Sequence, residues 1–170
     1  MDGKGDLRLD SYHHDGRNYC LYRKYREDVS EEAIEDFKEK ILDHTLTAED
    51  ILECKSFPDR IAHSSYPIDI HNPKGEGTAS RFVSRPGSYY SLPYAIMVGQ
   101  KTKNLLVTGR CVSATFEAQA AIRTTPTVGA MGQAAGIAAA MAAKERTDIA
   151  DVDIARLQQT LVQQGAYLEL

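Results

Sequence analysis

Residues Asn104 to Lys144 read NLLVTGRCVSATFEAQAAIRTTPTVGAMGQAAGIAAAMAAK, and this stretch decides the fold. It opens on Leu105-Leu106-Val107, bounded by Asn104 and closed by Gly109, a short apolar run that predicts a buried strand. It ends in small residues from Thr127 to Lys144, entered through Pro126. Proline suits a first helical turn because its φ is already set and the N–H it lacks would be unpaired there. Alanine, the best helix former, dominates the remainder, so the segment predicts a long helix. Gly129, Gly132 and Gly136 share one face of that helix. Each costs about 1 kcal/mol relative to alanine, which makes sense if something approaches the helix backbone closely.

Two readings compete for that face. One is tight packing against a sheet or another helix. The other is a ligand: a helix N-terminus offers free N–H groups and partial positive charge, which suits a phosphate or an electron-rich ring. A strand ending in Gly109-Arg110 and a helix starting near Thr127 would converge on such a ligand. Arg123, just before the helix, adds a fixed charge and forked donors.

The run from Asn104 to Ala140 resembles the C-terminal flavin-binding segment of the FAD-dependent oxidoreductase family, in the branch related to fumarate reductase and glutathione reductase. LTAEDIL (Leu46 to Leu52), SYPIDIHNP (Ser65 to Pro73) and SYYSLPY (Ser88 to Tyr94) resemble the preceding stretches of that family, in the same order. The likeness covers Tyr19 to Leu170 and is strongest between Leu46 and Ala140. It implies an α/β fold (mixed α+β), the C-terminal part of an FAD/NAD(P)-binding flavoprotein with short strands and one long Ala/Gly-rich helix. It also implies FAD as cofactor and hydride or electron transfer on a small molecule through the isoalloxazine ring. On this resemblance Gly109 and Arg110 face the ribityl-phosphate side. The N–H groups around Thr127, Val128 and Gly129 face the ring edge where charge builds on reduction, and Gly132 lets the helix approach. Arg123 is a charge partner of reduced flavin or a substrate anchor. The SYPIDIHNP block runs near the substrate side, which makes His71 the candidate proton carrier. Read from the residues alone, His71 is equally a structural histidine of a loop.

Three positions depart from the family pattern. Phe116 stands where the family often has His, Thr124-Thr125 where it has Val-Met, and Leu42-Asp43-His44 where it tends to Gly-x-Tyr. The first puts substrate chemistry in question. The family's G-x-G-x-x-G strand–turn–helix, which cradles the ADP pyrophosphate, is not among these residues; Gly75-Glu76-Gly77 lacks that context. The expectation is therefore an incomplete FAD site. It would be completed by a dinucleotide-binding half or another copy of the chain, or the chain would be a non-catalytic remnant serving assembly.

Composition bounds the alternatives. With 170 residues, 42% hydrophobic and 26% charged, the chain has enough material for a core. A net charge of −4 gives no footprint for nucleic acid or an anionic membrane. Cys20, Cys54 and Cys111 have neither disulfide-framework nor zinc spacing, which points to reduced thiols and a cytoplasmic location. His13-His14-Asp15 reads as solvated loop rather than a metal site. The polar start MDGKGDLRLD is no signal peptide, and Pro126 to Ala143 is too weakly apolar to span a membrane.

Three segments are expected: 1–17 as a flexible terminus, 18–100 as the substrate or cap side, and 101–170 as the C-terminal part of the FAD-binding domain. Asn18 to Tyr25 predicts a strand. Ser30 to Leu42 predicts a capped helix, and Thr47 with Asp50 a capping box opening a second. Tyr66 to Ile70 has an extended pattern. Lys74 to Gly87 is expected to be an excursion around a strand at Arg81 to Ser84, and Tyr89 to Ile96 a strand broken by Pro93. Thr147 to Asp151 reads as a polar linker. Asp153 caps a last helix with Ile154, Leu157 and Leu161 inward and Gly165 as its stop.

Overall fold

The computed structural model describes residues 7–14, 17–24, 44–71, 78–83, 87–99 and 104–169, with residues 7–14, 17–24, 71, 78 and 79 described through their backbone. The helix expected at Ser30 to Leu42 lies outside them. Among the described residues the chain is a mixture of helices and short strands, as the sequence predicted. β1 (Leu7–His14) and β2 (Arg17–Lys24) form an antiparallel hairpin, and β7 (Ala114–Thr115) adds to the far edge of β2. β3 (Arg60–Ser64) pairs with β6 (Tyr90–Pro93), and β4 (Ile68–His71) with β5 (Thr78–Arg81), both antiparallel. Residues 7–14 are therefore strand, where the polar, glycine-bearing sequence predicted loop. Pairing with the Tyr-rich β2 overrides local composition.

The helices are α1 (Ala48–Leu52), α2 (Phe116–Ile122), α3 (Thr125–Glu145) and α4 (Ile154–Gln163). α1 starts where its sequence said. Thr47 accepts from the Asp50 N–H, and the Asp50 carboxylate accepts from the Thr47 N–H at 2.9 Å. Burial pushes the Asp50 carboxyl up, but Lys55 at 2.7 Å and the Thr47 donors outweigh it and leave its pKa below the usual value. α4 is capped by Asp153, which accepts from the Arg156 N–H, and stops at Gly165 with φ +92°. Its inner side buries Leu157 and Leu161. Gln158 on that side donates to the carbonyls of Pro58 and Arg60, satisfying the irregular start of β3.

Two strand expectations fail locally. Leu105 to Val107 is not a strand: Leu106 makes one bridge to Val98, and the Val107 N–H reaches the Met97 carbonyl. Leu105 is 47% exposed. Near Arg81 the strand ends rather than begins, and Phe82 is 72% exposed beyond it. Pro93, by contrast, ends β6 as expected, and Tyr94–Met97 turns into a 3₁₀ helix. The linker after α3 also carries a 3₁₀ turn, Ile149–Asp151, with Ile149 buried. One hydrophobic core draws on both sides of residue 100: Leu46, Ile61, Ile68 and Leu92 meet Ile122, Met131 and Leu157.

Candidate functional site

α3 supplies the centre of the site. Pro126 lies in its first turn, as predicted, but the helix begins at Thr125 with Thr124 as N-cap. That start moves the free donors. The N–H of Val128 is already bonded to the Thr124 carbonyl at 2.9 Å, and Gly129 lies deeper in the helix. The backbone donors left without helical partners are those of Thr124, Thr125 and Thr127, because Pro126 has none. The helix thus starts about two residues earlier than the sequence placed it, and its free donors lie before Val128 and Gly129.

Thr127 is buried, and its hydroxyl joins a chain of side-chain contacts. Its Oγ1 lies 2.9 Å from that of Thr124 and donates to Ser64 Oγ at 3.3 Å. Tyr90, only 1% exposed, donates to the same Ser64 oxygen at 3.2 Å and reaches the Tyr66 carbonyl at 3.1 Å. Burial pushes the Tyr90 phenol up to about 12, against a small opposing effect of Ser64, so it stays a donor at neutral pH. Above this chain lies an open cleft of about 580 Å³, lined among others by His63, Tyr66, Pro67, Thr124 and Pro126. No well-formed hydrogen bond reaches either ring nitrogen of His63, which lies near the Tyr90 backbone, and its imidazole packs 4.6 Å from the Tyr89 ring.

Gly109 has φ +65°, and a Cβ built there would stand 3.3 Å from Val128 Cγ1. The Gly109 turn therefore meets the first turns of α3, and its positive φ favours glycine, with Val128 leaving little room for a side chain. Arg110 and Arg123 line a second cavity of about 140 Å³ beside α2, together with Asp69, Phe116 and Gln119. Arg123 caps the C-terminus of α2 and donates from Nη2 to the Asp69 carbonyl at 3.2 Å. His71 ends β4, opposite Thr78, with its side chain outside what is described.

The glycine face of α3 is open. Gly129, Gly132 and Gly136 are exposed, and a Cβ at any of them would meet nothing within 4 Å. Packing uses the other face, where Thr127, Met131, Ala134, Ala138, Met141 and Ala142 are buried. Among the described residues nothing approaches that backbone, so the first of the two readings, tight packing on this face, is not seen there.

Sequence reasoning passed over His63 and Ser64, which sit just before the quoted SYPIDIHNP block. Their signal was the end of the β3 pattern, where buried Ile61 and Ala62 give way to half-buried polar groups. Gln119 was hidden inside an apolar helix. Among the described residues no three His, Cys, Asp or Glu side chains form a metal site, and no helix is long and apolar enough to cross a membrane.

A family model described as FAD dependent oxidoreductase matches residues 41–161. The chain belongs to that family. Its function is accordingly flavin-related oxidoreduction, and its cofactor is FAD. Neither the curated proteins nor the solved structures contain a match to it. The matched stretch holds the cleft, the hydroxyl chain and the small cavity of this member of the FAD-dependent oxidoreductases.

Proposed function

We propose that this chain contributes the flavin-facing part of an oxidoreductase acting on a small molecule, with the isoalloxazine ring in the cleft at the α3 N-terminus. The observation that carries this is the cleft itself. A space of about 580 Å³ in a member of an FAD-dependent family opens on a helix N-terminus with unspent N–H groups. The residues fit the ring end of the cofactor. The N–H groups of Thr125 and Thr127 and the helix dipole favour negative charge at that end, and the Thr124, Thr127 and Ser64 hydroxyls line it. When bound, the flavin supplies the redox chemistry, hydride or electron transfer. Tyr90 stays protonated beneath Ser64, so the hydroxyl chain offers donors rather than charge. Arg123 is a charge partner or substrate anchor at the neighbouring cavity, and His71, from the strand facing α2, remains the proposed proton carrier.

The pyrophosphate has no comparable cradle among the described residues, so the dinucleotide-binding part would come from another segment or chain. This reading places the protein in the branch related to fumarate reductase and glutathione reductase.

The open glycine face favours a second reading, a non-catalytic module that docks a partner helix or a sibling copy. Adding FAD to the purified chain separates the two. Quenching of flavin fluorescence, weakened by Arg123→Ala, supports the first. A colourless, self-associating preparation that leaves flavin fluorescence untouched supports the second.

A further inference from the structure

His63 stands in the wall between two spaces. On one side is the cleft at the α3 N-terminus, and on the other a rear cavity of about 200 Å³ lined among others by Cys54, Lys55, Arg60, Tyr89 and Glu169. Residues Ala166 to Glu169 reach the rear side. The Ala166 N–H bonds to the Leu161 carbonyl at 2.9 Å, turning the chain back after α4, and Leu168 is buried in the core. The Tyr167 ring lies 6.0 Å from both His63 and Tyr89, which itself packs 4.6 Å from the imidazole. Glu169 accepts from the Tyr167 hydroxyl at 2.7 Å and from that of Tyr89. These two donors hold its carboxyl below the usual pKa, so it is charged at neutral pH. The segment lies past residue 161, where the match to the family ends.

Among the described residues, the titratable and charged groups facing His63 come from every side. They are Arg60 on its own strand, Tyr89 and Tyr90 at the start of β6, Tyr66 across the cleft, Tyr167 and Glu169 on the segment, and Cys54 and Lys55 across the rear cavity. The Lys55 ammonium is spent on Asp50 at 2.7 Å. Aromatic cover keeps water away and disfavours a charged imidazole, whereas the Glu169 carboxylate favours one. Burial outweighs the carboxylate, and Arg60 adds to it.

We propose that the segment Ala166 to Glu169 is a strap that sets the charge of the cleft wall through His63. With the strap in place the imidazole is neutral at neutral pH. With the strap released it regains water and takes up a proton more readily. That proton adds positive charge to a cleft whose helix N-terminus already favours anions. Control over an anionic flavin in the cleft rests on the proposed function; the hold of the strap on His63 does not.

The test is an NMR titration of the full chain without flavin, following the imidazole signal that His63→Phe removes. Leu168→Ala takes away the buried anchor and is expected to raise the His63 midpoint toward the ordinary value of about 6.5. Glu169→Gln leaves the strap in place without its charge and is expected to lower the midpoint. Opposite shifts from adjacent residues are not the signature of packing alone. If Leu168→Ala does not fold, Tyr167→Ala, which removes a largely exposed ring, takes its place with the same expected rise. A midpoint that does not rise in the folded untying variant, or does not fall in Glu169→Gln, overturns the proposal. Flavin fluorescence is titrated separately on both sides of the midpoint. Tighter binding below it supports control of the ring site, and equal binding overturns that step. A flavin that binds on neither side removes the ring-site reading and leaves the strap standing.

Discussion

The two ends of α3 are held in different ways. At its carboxyl end Ala138, Met141 and Ala142 are buried, α4 packs alongside, and Ile149 closes the turn beyond, its carbonyl taking the Tyr94 hydroxyl at 2.9 Å. At its amino end Thr125 and Pro126 are exposed, and Thr127 is fixed by hydroxyl contacts to Thr124 and Ser64. Apolar burial locks one end and leaves the other to polar groups beside a cleft. A site carried on a helix that is rigidly anchored elsewhere can keep its donors unspent without unfolding.

The largest test of this contrast is Leu157→Ala in α4. It removes a fully buried side chain and is expected to cost about 2–5 kcal/mol in urea unfolding. A loss well under 1 kcal/mol would mean that α4 does not secure the closed end. Thr127→Val acts on the open end. It deletes the hydroxyl between Thr124 and Ser64 and is expected to cost about 1 kcal/mol, with a clear fall in flavin affinity by fluorescence titration. Equal flavin affinity would detach the hydroxyl chain from the cofactor.

Gly132→Ala sharpens the comparison in the opposite direction. The face is open, so the substitution is expected to stabilise the isolated chain by up to about 1 kcal/mol. A lower unfolding midpoint would reveal a neighbour at that backbone. The smallest effect concerns pH. Burial, reinforced by Arg60, holds the His63 imidazole below its usual pKa, against the opposing pull of the Tyr90 backbone and Glu169. Below about pH 6.5 the unfolded chain takes up this proton first. Stability therefore falls with pH from there down to the folded-state pKa, and is fully present above the window. His63→Phe keeps a ring against Tyr89 and should flatten that slope in unfolding curves compared between neutral and mildly acid pH. An unchanged slope would place the pH dependence elsewhere.

Elements whose cause is local were legible in the sequence. Thr47 and Asp50 box the start of α1, Asp153 and Gly165 bracket α4, and Pro126 marks the first turn of α3, each through its own φ preference or side-chain acceptor. Elements whose cause is distant were not. β1 exists through its pairing with β2, and Leu105 to Val107 fails as a strand because, among the described residues, its pairing stops at one bridge from Leu106 to Val98 and one bond from Val107 to Met97. Of the candidate site, the meeting of Gly109 with the first turns of α3 could be read ahead. The junction of His63, Ser64 and Tyr90 with Thr127 could not, since more than sixty residues separate Ser64 from Thr127.

By itself the sequence determined a long helix of small residues entered through proline, and it carried the family likeness in ordered blocks. Alanine, proline and glycine act through backbone geometry that every chain shares, so their message needs no partner to be read. Only the tertiary structure decided which face of that helix is covered, which N–H groups remain unspent, and that two arginines and a buried amide line one cavity. Those outcomes depend on which distant segments arrive beside the helix, and no local preference encodes an arrival.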